Sequence, residues 1–239
     1  MRDTDQDWAI IGDTEPFFGV LSAPQYLKSN LSEASLDEFW KSGDQDIDFL
    51  LGKIKKHFGE FRHRTALDFG CGVGRLTRAL GKQADIATGV DISPGMLEQA
   101  RKNAPANTRF LTAIPDEIFD LVISLIVFQH IPAQKGYGIF ADLLGHIAPG
   151  GAFAIQVTLY KDQPFLNRML EPITRATWDG ETVKIFEDVP WPAGTMLMHD
   201  YDLTRLFSIA QRSGFVELHM IHTNHGECHG VIMMGRKPG

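Results

Sequence analysis

The segment ALDFGCGVGRLTRAL, residues 66–80, holds one acid, Asp68, and glycines at alternate positions, Gly70, Gly72 and Gly74. Glycine tolerates a tight turn and lets backbone approach a ligand closely. A second acid, Asp91 in GVDIS, stands 21 residues beyond Gly70. That offset is close to the roughly 20 residues separating a glycine turn from a ribose-binding carboxylate. A short carboxylate there accepts hydrogen bonds from two vicinal hydroxyls. The G-x-G-x-G spacing differs from the G-x-G-x-x-G of dinucleotide sites. Asp68, just before the turn, would repel a pyrophosphate and attract an ammonium. These residues suit a ligand with a ribose and a cationic amine but no phosphate. S-adenosylmethionine has a ribose, an amino-acid head and a positive sulfonium.

The elements that must hold these residues follow from the apolar pattern. Short apolar runs at 65–69, 86–90, 108–112, 119–125 and 152–158 predict strands, with helices over about 74–82, 94–103 and 135–147 between them. That alternation means βαβ units, a parallel sheet and helices on both faces. A helix over 202–213 then leads into FVELHMIH and CHGVIMMGRK, joined by TNHGE, which predict an antiparallel hairpin. Upstream, EPFFGVLSAPQYL reads as a loop-rich aromatic segment. SEASLDEFWKSG predicts a helix begun by Ser32 or Ser35 and stopped at Gly43, and DIDFLLGKIKKHFG predicts another.

The 239 residues carry a formal net charge of -7, which disfavours a nucleic-acid duplex as the main partner. Two cysteines, Cys71 and Cys228, form no disulfide framework and suit a reducing compartment. The charged start MRDTDQDWAI lacks the apolar run of a signal peptide. The longest apolar stretch, residues 121–128, is far too short to span a bilayer. A cytoplasmic protein with no membrane contact is expected.

The region from about 64 to 158 resembles the class I S-adenosylmethionine-dependent methyltransferases. LDFGCGVGRLTRAL matches that family's first glycine motif, and GVDISPGMLEQARKNA the segment with its ribose-binding acid. FDLVISLIVFQHIP matches its fourth-strand motif, and IAPGG its turn into strand five. The resemblance implies a doubly wound Rossmann-like α/β sheet of order 3-2-1-4-5-7-6 with strand seven antiparallel. It implies that Asp68, Gly70, Cys71 and Gly72 contact the methionine head, that Asp91 takes the ribose hydroxyls, and that Ile92 and Met96 flank the adenosine. Ser124 or Leu125 offers backbone to the amino group. Many members carry an acid after strand three to meet the adenine. Thr112 and Ala113 stand there instead, so adenine recognition falls to backbone around Ala113 and Ile114.

For an oxygen or nitrogen acceptor a base is useful, and histidine suits neutral pH. His130 follows the fourth strand, near where the methyl group lies in this fold, and His199 starts a helix at the same rim. The alternative for His130 is capping the next helix or closing the pocket. His222, His225, Cys228 and His229 cluster on the final hairpin, but strand alternation separates neighbours, and no metal is assigned. Residues 1–60 are expected to form an N-terminal helical cap on a domain of residues 61–239, with a lid-like insertion at about 160–200. Phe17, Phe18, Tyr26, Tyr160, Trp178 and Trp191 either face the pocket or pack this cap down. The expectation is methyl transfer from S-adenosylmethionine to a small-molecule acceptor, at oxygen. The alternatives are N-methylation of a small amine or protein side chain, a non-catalytic cofactor-binding partner, and a nucleotide-dependent oxidoreductase, against which G-x-G-x-G and Asp68 argue.

Overall fold

The computed structural model describes residues 4–102, 104–164, 176–178, 183–185 and 192–239. Its main sheet has seven strands: β1 (Thr65–Phe69), β2 (Ile86–Val90), β3 (Thr108–Leu111), β4 (Phe119–Ser124), β5 (Ile147–Lys161), β6 (Leu218–His225) and β7 (Cys228–Arg236). Their order is 3-2-1-4-5-7-6. β1 to β5 run parallel, and β7 is antiparallel to both its neighbours. The predicted order is therefore met. β5 is longer than the predicted 152–158 because β7 supplies it with partners as far as Lys161. A small separate hairpin pairs Ala176–Trp178 with Val183–Ile185. Trp191 and most of the 160–200 insertion lie outside the described residues.

Strand alternation divides the core between the two faces. Leu67, Val122, Phe153, Ile155 and Met233 point to one side, against helices α6 (Ala133–Gly145) and α7 (Leu203–Arg212). Ala66, Leu121, Ile123, Ala154 and Met234 point to the other, against α3 (Glu33–Phe58) and α4 (Arg75–Leu80). The second face carries small residues near its centre, which lets the long helix α3 approach the sheet. α5 (Pro94–Lys102) covers β2 and β3 through Leu97, Ala100 and Phe110. Among the described residues no helix is long and apolar enough to cross a membrane.

The two helices predicted over residues 32–58 are one helix, α3. Ser32 caps it: its hydroxyl accepts from the Ser35 N–H, and the Ser35 hydroxyl accepts from the Ser32 N–H at 2.9 Å. Gly43 does not stop the helix. It is buried where α3 crosses α4, and a Cβ there would stand 2.5 Å from the Arg75 carbonyl oxygen. Close approach, not termination, explains this glycine. The helix ends on Lys55, Lys56 and His57, whose charge suits a C-terminus, followed by Gly59 at φ 79°.

Residues 4–27 are more helical than their composition suggested. They form α1 (Thr4–Thr14), α2 (Pro16–Val20) and a 3-10 turn at Pro24–Tyr26. Phe17 and Tyr26 each pack edge-on against Phe39, with ring centroids 5.2 Å apart. Ile11, Val20, Val73 and Met96 complete this third cluster. Tertiary burial of Trp8, Ile11 and Phe17 thus organises a segment of weak helix propensity.

Two glycines of α3 should separate these effects. Gly43→Ala is expected to lower stability by about 1–3 kcal/mol through overpacking against Arg75. Gly52, whose Cβ would meet nothing within 4 Å, should gain about 0.5–1 kcal/mol on substitution by Ala. Urea denaturation of the two variants checks the opposite signs.

Candidate active site

β1 ends in a turn that only glycines can make as built. Gly70, Gly72 and Gly74 have φ of 74°, 52° and 83°. The turn's N–H groups are engaged internally. Gly70 and Cys71 donate to the Val90 carbonyl at 2.7 and 2.9 Å, and Gly72 donates to Asp91 Oδ2 at 2.8 Å. Gly74 donates to the Cys71 carbonyl at 2.9 Å. No fan of free N–H groups is left at these four positions to cradle a pyrophosphate. The loop is therefore a floor, unlike a phosphate nest.

Asp91 stands at the end of β2. Its Oδ1 accepts from the Ser93 N–H at 2.9 Å, so both carboxylate oxygens are oriented by backbone. Ser93 caps α5, accepting from the Met96 N–H at 3.3 Å. Burial raises the Asp91 pKa, and the two backbone bonds pull it back.

A cavity of 280 Å³ opens over this floor. Gly70, Gly72, Asp91, Ile92 and Met96 line one side, with Ala113 and Ile114 following β3. Leu125, Ile126, Val127 and His130 line the side after β4. Thr4, Asp5 and Trp8 of α1 and Gly19 and Val20 of α2 close over it. Ile92 is 51% exposed on this wall, a bare apolar surface suited to a planar ring.

Asp68, Cys71, Ser124 and His199, also expected at the site, are off the cavity wall. Asp68 lies beneath the floor, 1% exposed, and accepts from the Thr77 hydroxyl at 2.6 Å. Burial pushes its pKa up to about 6, against the pull of Thr77 and Arg75. The Cys71 thiol packs with Leu97, Ala100 and Phe110, and burial holds it well above the usual thiol range. The Ser124 hydroxyl donates to the Phe69 carbonyl at 2.9 Å and ties β4 to β1.

His130 is nearly buried, and both its ring nitrogens are engaged. Nδ1–H donates to the Leu197 carbonyl at 2.9 Å, which leaves Nε2 to accept from the Gln129 amide at 3.1 Å. The Gln129 Oε1 in turn accepts from the Thr158 hydroxyl at 3.2 Å. The Trp8 ring lies 4.7 Å from the imidazole, centroid to centroid. Burial lowers the His130 pKa to about 4, so the ring is neutral near pH 7. His199 donates its backbone N–H to the Gln129 carbonyl at 2.6 Å, and its buried Nε2 has no partner among the described residues.

On the final hairpin, His222 Nε2 and His229 Nδ1 are 3.2 Å apart, and His229 Nε2 is 2.8 Å from Asp162. Among the described residues no three His, Cys, Asp or Glu form a group able to hold a metal.

Trp8, Val20, Ile126 and Lys135 are among the wall residues that the sequence did not announce. Trp8 and Ile11 show helical spacing, a faint signal. Ile126 has φ 62°, a strained conformation for a β-branched residue, and no local signature announces it.

Residues 67–155 match the family of methyltransferase domains. Over this span the chain is similar to the class I S-adenosylmethionine-dependent methyltransferases. Over 125 residues it is 35% identical to a trans-aconitate 2-methyltransferase of Streptomyces coelicolor, covering 46% of this chain and 40% of that protein. Over 113 residues it is 27% identical to a ubiquinone biosynthesis O-methyltransferase of Rickettsia felis, covering 44% and 46%. The chain thus matches less than half the length of either relative. The fold is similar to a magnesium protoporphyrin IX methyltransferase from Synechocystis PCC 6803 with bound S-adenosylhomocysteine. The TM-score is 0.65 at 15% identity, over 98% of this chain and 100% of that one.

The cavity fits the donor of that family, S-adenosylmethionine. An oriented carboxylate suits vicinal hydroxyls, bare Ile92 suits a planar ring, and the floor offers no phosphate nest. Asp91→Ala should weaken S-adenosylhomocysteine binding about a hundredfold or more, at about 1.5–3 kcal/mol for each lost charged hydrogen bond. Calorimetry measures it.

Asp68 has a consequence for stability. Its pKa is about 6 in the folded state against an ordinary 3.8. The folded state holds the proton more tightly, so this stabilising contribution is complete below about 3.8 and is lost as pH rises through about 6. At 1.36 kcal/mol per unit the loss is about 3 kcal/mol. Asp68→Asn should flatten the stability–pH curve between about 4 and 6 in urea titrations.

Proposed function

We propose that the chain transfers a methyl group from S-adenosylmethionine to an oxygen of a small-molecule acceptor. The observation carrying this reading is one continuous cavity, running from Asp91 across the glycine floor to His130 under α1 and α2. A roof of two helices suits a small molecule better than a protein side chain. The names of the relatives, one an O-methyltransferase, support oxygen as the acceptor atom. A cytoplasmic setting accompanies this reading.

When bound, the donor supplies an electrophilic methyl group on a positive sulfur. The residues here bind, orient and exclude water. Asp91 holds the ribose, with Ile92 and Met96 along the adenosine. Ala113 and Ile114 offer backbone and apolar surface to the adenine. Gly70, Gly72 and the backbone of Leu125 bracket the methionine head, while Asp68, Cys71 and Ser124 support the floor from below. His130 serves best as a positioning residue, since both its nitrogens are committed. Its neutral ring joins Trp8 of α1 to Leu197. The N-terminal segment acts as a cap, and the α1 and α2 residues on the cavity wall support that role.

Calorimetry with S-adenosylhomocysteine and with NAD tests the donor. The first should bind and the second should not compete; tight NAD binding alone would sink the reading. With His130 neutral down to about pH 4, kcat/KM is expected to stay flat between about pH 5.5 and 8. A limb near 6.5 would reveal a histidine base in an ordinary environment.

A further inference from the structure

One cation on the cavity wall has no role in donor binding. Lys135 stands in the first turn of α6, and its Nζ lies 2.8 and 2.6 Å from the two carboxylate oxygens of Asp5 on α1. Both residues line the cavity. A cation in the first turn of a helix opposes the helix dipole, and no acidic residue shares that turn. An anion beside Lys135 offsets this, and a carboxylate is already seated there.

The order of the walls gives this cation its place. Passing across the sheet from β3 through β2 and β1 to β4, the cavity meets Ala113, then Asp91, then Gly70, then His130, with Lys135 beyond. A donor whose ribose sits on Asp91 reaches over β1 with its methionine end. The space past that end is bounded by Trp8, His130, Ile131 and Lys135. Among the described residues it holds one cation, Lys135, and an imidazole with no uncommitted nitrogen. Such a space suits an acceptor that carries negative charge and needs no base.

We infer that Lys135 is the residue that binds the acceptor, that the acceptor presents a carboxylate, and that Asp5 occupies its place in the closed cap until it arrives. This rests on the donor reading above. The Asp5–Lys135 pair is weakly held, since the side chains are 38% and 48% exposed and such pairs are worth little in water. An incoming carboxylate can take the place of the Asp5 carboxylate at Lys135. Asp5 and Trp8 lie one helical turn apart on α1, so moving one shifts the other, which packs on His130. The transfer balances without a proton. A carboxylate oxygen forms the new bond to the methyl carbon while the carbon–sulfur bond breaks, its electron pair going to sulfur. An anion and a cation become a neutral ester and a neutral thioether.

The test uses the full chain saturated with S-adenosylhomocysteine. Succinate, trans-aconitate and benzoate are titrated in by calorimetry, with succinamide and benzamide as uncharged controls. At least one carboxylate is expected to bind while its amide does not. Lys135→Gln should weaken that binding tenfold or more with S-adenosylhomocysteine affinity unchanged. Lys135→Arg should restore most of it, and Asp5→Asn should tighten it several-fold. With labelled S-adenosylmethionine the same acid should gain an alkali-labile methyl group, released as methanol. No carboxylate binding to the loaded protein, or binding indifferent to Lys135→Gln, overturns the inference and leaves the donor reading standing. An alkali-stable methylated product from benzyl alcohol or benzylamine, with none from the acids, does the same. Failure of S-adenosylhomocysteine to bind the unmodified chain overturns the donor reading and this inference together.

Discussion

The Val90 carbonyl accepts two N–H groups of the glycine turn, and the Asp91 carboxylate beside it accepts a third. This closure locks the end of β1 to the end of β2. It sets the height of the cavity floor, consumes the donors that would otherwise attract phosphate, and aims the Asp91 carboxylate. Below it, Asp68 and Thr77 join the turn to α4, with the acid held near its titration point by burial. Without the left-handed backbone at Gly70 and Gly72 the turn could not come back toward β2. It also could not admit Val127 and Val20, whose side chains occupy the space a Cβ would need.

A second closure lies on the other side of β1. His130 links the roof helix α1, through Trp8, to the segment returning from the insertion, through Leu197. Gly194 donates to Asp7 of α1 at 2.8 Å, a further tie between these parts. Such a network is rigid when complete and costly when partly broken. It accounts for a histidine that is both neutral and buried. The strained Ile126 sits between the two closures, its N–H 3.3 Å from Gln156 Oε1. The sheet beneath is well enough packed to hold that conformation.

The floor was legible in the sequence because its chemistry is local. Glycine spacing, the offset to Asp91 and the strand–helix alternation all act over a few residues. The roof was not. α1 and α2 owe their helicity to burial against Phe39 and Met96, which are distant in sequence. Gly43 was misread as a stop because a crossing helix leaves no trace in the segment it crosses. Asp68 was placed correctly before the turn, but a strand residue's facing depends on register, and here it faces Thr77 in the interior. His130 was found by position, whereas its partners, Leu197 and Trp8, come from far ends of the chain. Lys135 carried no motif at all.

The neck of the insertion bears on how much this stretch can vary in length. Where the chain departs, Asp162 N–H donates to the Glu227 carbonyl, and where it returns, Tyr201 N–H donates to the Thr158 carbonyl, at 2.9 and 2.8 Å. Both ends are thus fastened to the sheet independently of what lies between. Doubling the length of a loop held in this way adds only about 0.6 kcal/mol of closure entropy. The stretch between these two ties can therefore change in length at little cost to the sheet that carries the cavity.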